Sequence, residues 1–246
     1  MDGLKLYILF IGDITMPSKA HMTPGKDEGI PVNFPAYCYL IDHPKGKVLV
    51  DCGMHNGGPA HVREEDIVTN RLAEIGVQPD DIKYVVLTHL HIDHAAYMTS
   101  FPNATFVVRK EELRSAWWPE TCERGYVYDD YKDARYFRYI QPKDDEVYDL
   151  FYDGSVLLID TKGHTRGHQS VVLDLKELGK TVLVGDAAAF RENMEEKILP
   201  GYCSDSWAGM QTLERLKVME EEGYFLIFGH DIPQWKELKL SPEFYE

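Results

Sequence analysis

The chain of 246 residues is predicted to fold as an α/β protein whose sheets carry helices on their outer faces. Three observations lead there. Short β-branched and aromatic runs alternate with helix-period segments in both halves. Hydrophobic residues make up 44% and charged residues 27%, which is the balance of a globular chain with a full-sized core. The conspicuous histidines and aspartates fall just past strand-like runs, where side chains converge at the edge of a packed sheet. The length suits one domain, and no repeat, low-complexity tract or long linker divides 1–246.

The first strands are Tyr7–Ile11, Tyr37–Ile41 and Val48–Asp51. Thr15–Pro35 holds Pro17, Pro24, Gly25, Gly29, Pro31 and Pro35 and is expected to be irregular throughout. Glu64–Ile75 repeats Ile67, Val68, Leu72 and Ile75 at helical spacing, and Gly76 supplies a stop. The strand Tyr84–Leu87 runs into Thr88-His89-Leu90-His91-Ile92-Asp93-His94. Strand Thr105–Val108 precedes a helix over Lys110–Ala116. Residues 117–140 then crowd together Trp117, Trp118, Tyr126, Tyr128, Tyr131, Tyr136, Phe137 and Tyr139. Such a segment either packs its rings on the main body or forms a lid, an apolar wall or a homodimer contact. Val156–Ile159, Ser170–Leu173 and Thr181–Val184 read as strands, Ser206–Glu222 as a helix and Tyr224–Phe228 as the last strand.

Bulk properties narrow the partners. A net charge of −15 repels phosphate backbones, and no Lys/Arg cluster offsets it, so a nucleic-acid substrate is disfavoured. The run Leu6 to Ile11 is too short for a signal core or a membrane span. Cys38, Cys52, Cys122 and Cys203 are scattered without a C-x-x-C pair, as expected of reduced thiols in a cytoplasmic protein.

The chemical signal is His89-x-His91-x-Asp93-His94. Imidazole and carboxylate suit zinc and similar divalent ions. Alternation points His89 and His91 one way, and a turn then carries Asp93 and His94 toward a second position. One loop can thus serve two metals about 3.5–4 Å apart. Further candidates follow later strands: His164 in Gly163-His164-Thr165-Arg166-Gly167-His168, Asp186 in Gly185-Asp186-Ala187, and His230 in Gly229-His230-Asp231. Asp186 is suited to bridge two cations. His168 is expected to steady its own loop or a neighbouring ligand rather than bind metal. His21, His43, His55 and His61 lack such a setting and are expected to be surface or loop histidines.

In THLHIDH, GH, GD and GH, in that order over nearly the whole chain, the sequence resembles the metallo-β-lactamase superfamily. The resemblance implies an αββα sandwich with the metal site at one edge of two sheets. It implies that His89, His91 and His164 hold one metal, that Asp93, His94 and His230 hold the other, and that Asp186 bridges them. Asp51, in Leu49-Val50-Asp51-Cys52-Gly53, matches the family's D-T-G turn with cysteine for threonine and would support the ligands. Phe34-Pro35-Ala36-Tyr37-Cys38-Tyr39-Leu40 and Phe228-Gly229-His230-Asp231-Ile232 are similar to the N-acyl homoserine lactonases. Those enzymes carry a tyrosine three residues after the bridging aspartate, where this chain has Ala189 followed by Phe190.

The resemblance implies two divalent metal ions, with zinc as default and iron, manganese or cobalt as substitutes. The expected reaction is opening of a small-molecule lactone by a hydroxide bridging the metals, with Asp93 moving a proton to the leaving oxygen. Trp117, Trp118 and Phe190 are the expected contacts for an apolar acyl chain. A thioesterase of the hydroxyacylglutathione hydrolase type uses a similar ligand set but usually adds a basic helical domain, and the chain ends soon after His230. A hydrolase of another lactone or ester and a metal-binding sensor remain as alternatives.

Overall fold

A computed structural model describes residues 3–246. Among them, seven strands form one sheet and five the other. The strands of the first sheet are β1 (Lys5–Met16), β2 (Val32–Asp42), β3 (Lys47–Val50), β4 (Ala60–His61), β5 (Ile82–Val86), β6 (Thr105–Val107) and β7 (Arg138–Ile140), in spatial order β4-β1-β2-β3-β5-β6-β7. The second holds β8 (Tyr148–Asp149), β9 (Val156–Asp160), β10 (Gln169–Leu175), β11 (Gly179–Gly185) and β12 (Phe225–Phe228), in the order β12-β11-β10-β9-β8. The helices are α1 (Val68–Glu74), α2 (Lys110–Trp117), α3 (Tyr128–Tyr131), α4 (Arg191–Glu195), α5 (Ser206–Glu221) and α6 (Ile232–Trp235).

Side-chain alternation explains the layering. Along β1, Leu6 and Ile8 join a core with Tyr39 and Ile41 of β2 and with Val156, Leu158, Val171 and Leu173 of the other sheet. The intervening Leu9, Cys38, Leu40, Leu49 and Val85 face outward and pack with Val68 and Leu72 of α1 and with Ala116 of α2. In the second sheet Ile159, Val172, Val182 and Leu226 meet Leu213 and Leu216 of α5. Both faces of the central strands are therefore apolar. They read as continuous hydrophobic runs and not as polar–apolar alternations. The result is an αββα sandwich.

One expectation needs correction. Thr15–Pro35 is not irregular throughout: β1 runs on to Met16, and β2 begins at Val32 with Pro35 inside it, paired to Asp13. Proline is tolerated because β3 pairs only with Tyr39–Ile41, so this half of β2 has no strand on its second side to need an N–H. Of the two settings expected for His43, surface or loop, it has the second: it sits in the loop after β2 and is buried. It is 4% exposed, stacks on Phe151 at 3.9 Å and contacts the Ser155 hydroxyl. The short β4, β7 and β8 were not expected, since two or three residues cannot display a period.

No helix among the described residues is long and apolar enough to cross a membrane. The four cysteines are unpaired, with Cys38 and Cys52 buried.

Candidate metal centre

Strands β5, β9, β11 and β12 release their chains at one edge of the sandwich. The segment after β5 turns sharply, with the amides of His94 and Ala95 both donating to the His91 carbonyl at 3.0 and 3.1 Å. The turn separates the pair His89 and His91 from the pair Asp93 and His94. Two groups result. His89, His91 and His164 form one, and Asp93, His94, Asp186 and His230 form the other. Within each group the available donor atoms lie inside 4.8 Å of one another.

Asp186 stands between the groups. Its Oδ1 is 3.5 Å from His94 Nε2 and 3.2 Å from His230 Nε2, while its Oδ2 is 3.5 Å from His164 Nε2. Gly185 makes this placement attainable. Its φ of 61° and ψ of −150° belong to a region that only glycine enters readily, and a Cβ there would press on His168 Nε2 at 3.0 Å.

Buried partners fix the rings. Asp51 accepts from the Thr88 amide at 2.7 Å, the Thr88 hydroxyl at 2.8 Å and His94 Nδ1 at 2.8 Å. One carboxylate thereby orients His94 and anchors the start of the histidine loop. His230 Nδ1 donates to the Pro35 carbonyl at 2.8 Å. The Ser170 hydroxyl donates to the Val184 carbonyl, so the Thr161 hydroxyl gives its proton to Ser170 and receives one from His168 Nδ1. His168 Nε2 is then left to accept the Asp186 amide at 3.1 Å. This histidine steadies a neighbouring candidate ligand through its backbone.

The charges are tightly balanced. Burial, then the neighbouring imidazoles, hold His89 well below the usual histidine range. Burial also opposes charge on His94, but the carboxylates of Asp93, Asp51 and Asp186 outweigh it and lift that ring well above the range. Burial opposes ionisation of Asp186, yet His230 and His94 draw its carboxyl well below the usual range.

A pair of divalent cations fits these residues. The Nε2 atoms of His89, His94 and His230 and Oδ1 of Asp186 are all buried without a hydrogen-bond partner, and His164 Nε2 stands 3.0 Å from His91 Nδ1. Orphaned buried polar atoms are rare and costly. Four of them gathered at one strand edge form an imidazole and carboxylate donor set suited to zinc and its neighbours.

Above the donors lies a cavity of about 260 Å³. Its wall is apolar, built from Ile14, Met16, Met22, Phe34, Met54 and Ile92. Its remaining polar side chains outside the two groups are His21, Arg124 and Tyr202. None of these nine was expected at the site. The methionines lie at strand ends and in loops, without a period to mark them.

The expected substrate contacts Trp117, Trp118 and Phe190 are not among the residues that line this cavity. Trp117 and Trp118 line a separate notch with Arg166 and Glu120, and Trp118 is 83% exposed. Phe190 lies behind the wall, edge-on to Phe34 at 5.6 Å. Ala189 is fully buried. Most of the 117–140 rings pack inward, with Trp117 against Tyr128 and Tyr131 and Phe137 against Phe106. Only Arg124 and Gly125 of that segment line the cavity. Tyr126 adjoins His91 at 4.8 Å between ring centres, but its hydroxyl donates to Glu112.

Comparison with known proteins agrees with this architecture. Residues 32–230 match the family described as the metallo-beta-lactamase superfamily. The chain is 30% identical to the N-acyl homoserine lactonase AttM of Azorhizobium caulinodans, with all of both chains covered. It is 32% identical to the N-acyl homoserine lactonase AiiA of Bacillus thuringiensis subsp. kurstaki, covering 99% of this chain and 100% of that one. A solved N-acyl homoserine lactone hydrolase, with the product N-hexanoyl-L-homoserine bound at its catalytic metal centre, superposes with a TM-score of 0.86 at 28% identity over 98% of each chain. The chain belongs to the metallo-beta-lactamase superfamily.

Proposed function

We propose that this member of the metallo-beta-lactamase superfamily is a di-metal lactonase that opens the ring of N-acyl homoserine lactones. The observation that carries the reading is the pair of donor groups with Asp186 between them, set beneath an apolar cavity. Whole-length similarity to proteins named for this reaction supports the substrate class.

We assign His89, His91 and His164 to one metal, Asp93, His94 and His230 to the other, and Asp186 to both. Two cations, zinc by first expectation, would supply a water acidified toward neutrality and a Lewis acid for the carbonyl oxygen. Hydrolysis breaks the bond between the acyl carbon and the ring oxygen and leaves a carboxylate and a hydroxyl on one product. Asp93 suits the proton transfer: it is the one member of the set that is not fully buried. It takes the proton that water loses and returns it to the ring oxygen. Among the described residues Tyr202 is the only tyrosine lining the cavity, and we assign it the hydrogen bond to substrate that Ala189 cannot make. The apolar wall would receive the acyl chain. The unpaired cysteines support a reducing, cytoplasmic setting.

The test is proton release when an N-acyl homoserine lactone is added to zinc-loaded protein, beside a chelator-stripped control. Acid produced only by the loaded protein supports the reading. Turnover of a thioester with none of the lactone would keep the site and replace the substrate.

A further inference from the structure

Glu112 lies on α2 and touches no member of the two donor groups, yet its side chain is completely buried. Among the described residues no lysine, arginine or histidine forms an ion pair with it; it is held entirely by hydrogen bonds. Its Oε1 accepts from the Leu90 amide at 2.9 Å and from the Tyr126 hydroxyl at 3.1 Å. Its Oε2 accepts from the Thr165 hydroxyl at 2.5 Å and from the Gly167 amide at 3.3 Å. Those donors come from three separate segments. Leu90 sits between His89 and His91, Thr165 follows His164, and Tyr126 packs on the His91 ring.

We infer that Glu112 is a positioning residue that sets the spacing of the three-histidine group by tying both of its loops to one helix. A buried carboxylate with each oxygen accepting twice is a rigid junction, because every acceptor direction is used and each lost bond would strand a buried donor. The loop cannot drift from the helix: at Gly167 a Cβ would lie 2.2 Å from the Glu112 backbone nitrogen, so the chain passes directly against α2. The second group is braced by other means, with Asp51 on His94, the Pro35 carbonyl on His230 and His168 on the Asp186 amide. Loss of Glu112 therefore acts on one half of the centre.

The inference rests on the two-metal reading but not on the lactone. Its test is metal occupancy, measured by competitive chelator titration with zinc on the full chain, together with the melting temperature of the metal-free protein. Glu112→Gln keeps the size but faces an amide N–H₂ toward the Thr165 and Gly167 donors. It should bind one zinc as the unchanged protein does and the other roughly 10–100-fold more weakly, the usual effect of losing a partner that orients ligands. Thr165→Val, which removes one bond and no charge, should shift the same zinc in the same direction by less. Activity lost in Glu112→Gln should return at excess zinc. Two zincs bound with unchanged affinity in both variants would overturn the inference. So would equal weakening of both zincs with a lower metal-free melting temperature, which would mark Glu112 as a general support. Because occupancy is read directly, an unchanged protein that binds two zincs but opens no lactone would remove the proposed reaction and leave this role intact.

Discussion

The floor of the cavity and its wall are built from different parts of the chain. The floor comes from residues that follow four strand ends, and His94, Asp186 and His230 are held by the buried partners Asp51, His168 and the Pro35 carbonyl. The wall comes from the end of β1, the loops around Met22 and Met54, the tip at Arg124 and the segment at Tyr202. The floor has little freedom, because His94 and His230 each have their second ring nitrogen bonded to a buried partner and the Asp186 amide is held by His168. The wall is mostly apolar and offers shape rather than ligands, although Phe34 also packs on the His230 ring at 4.9 Å. Chemistry should therefore be sensitive to the floor, and substrate choice to the wall.

The largest expected effect is on the floor. Stripping the metals should reduce lactone opening to background and lower the melting temperature, since ligands that bind only the folded state stabilise it. An unchanged rate after verified stripping would break the division. Next comes Asp93→Asn, expected to cost about 10²–10⁴ in kcat with both metals retained; full activity would free Asp93 from the proton transfer. Tyr202→Phe reaches the boundary between floor and wall. Loss of a hydrogen bond made in the transition state should cost on the order of 10² in kcat/KM, and no loss would leave Tyr202 a plain part of the wall. On the wall itself, Met22→Ala should weaken long-chain substrates by about 10-fold relative to short ones, with kcat for short chains little altered. The smallest effect belongs to Trp118→Ala, whose ring is 83% exposed in a different notch. Its kcat/KM should match the unchanged protein at every chain length.

The same contrast explains what the sequence made legible. His89, His91, Asp93 and His94 fall within six residues, and His164, Asp186 and His230 each follow an apolar run that is buried on both faces. The floor could thus be read from spacing and strand signals, as could the alternation of strands and helices. Pro35 was misleading because its tolerance depends on which side of β2 has a neighbour, a fact of sheet order that no local window contains. The wall was illegible because Met16, Met22 and Met54 carry no period and meet only through tertiary packing. Aromatic density at 117–140 drew attention to rings that lie outside the cavity, where Trp117 packs on Tyr128 and Tyr131. Glu112 was hidden for a related reason: it is one of two adjacent glutamates early in a helix, and only the fold shows which is buried.

The central claim is that two metals on the seven assigned ligands act together on a lactone. Its most direct test adds zinc stepwise to stripped protein while N-acyl homoserine lactone opening is followed. Activity should rise only as the second equivalent binds, and His89→Ala and His230→Ala should each prevent that rise. Full activity at one equivalent, or in either variant, would contradict the account.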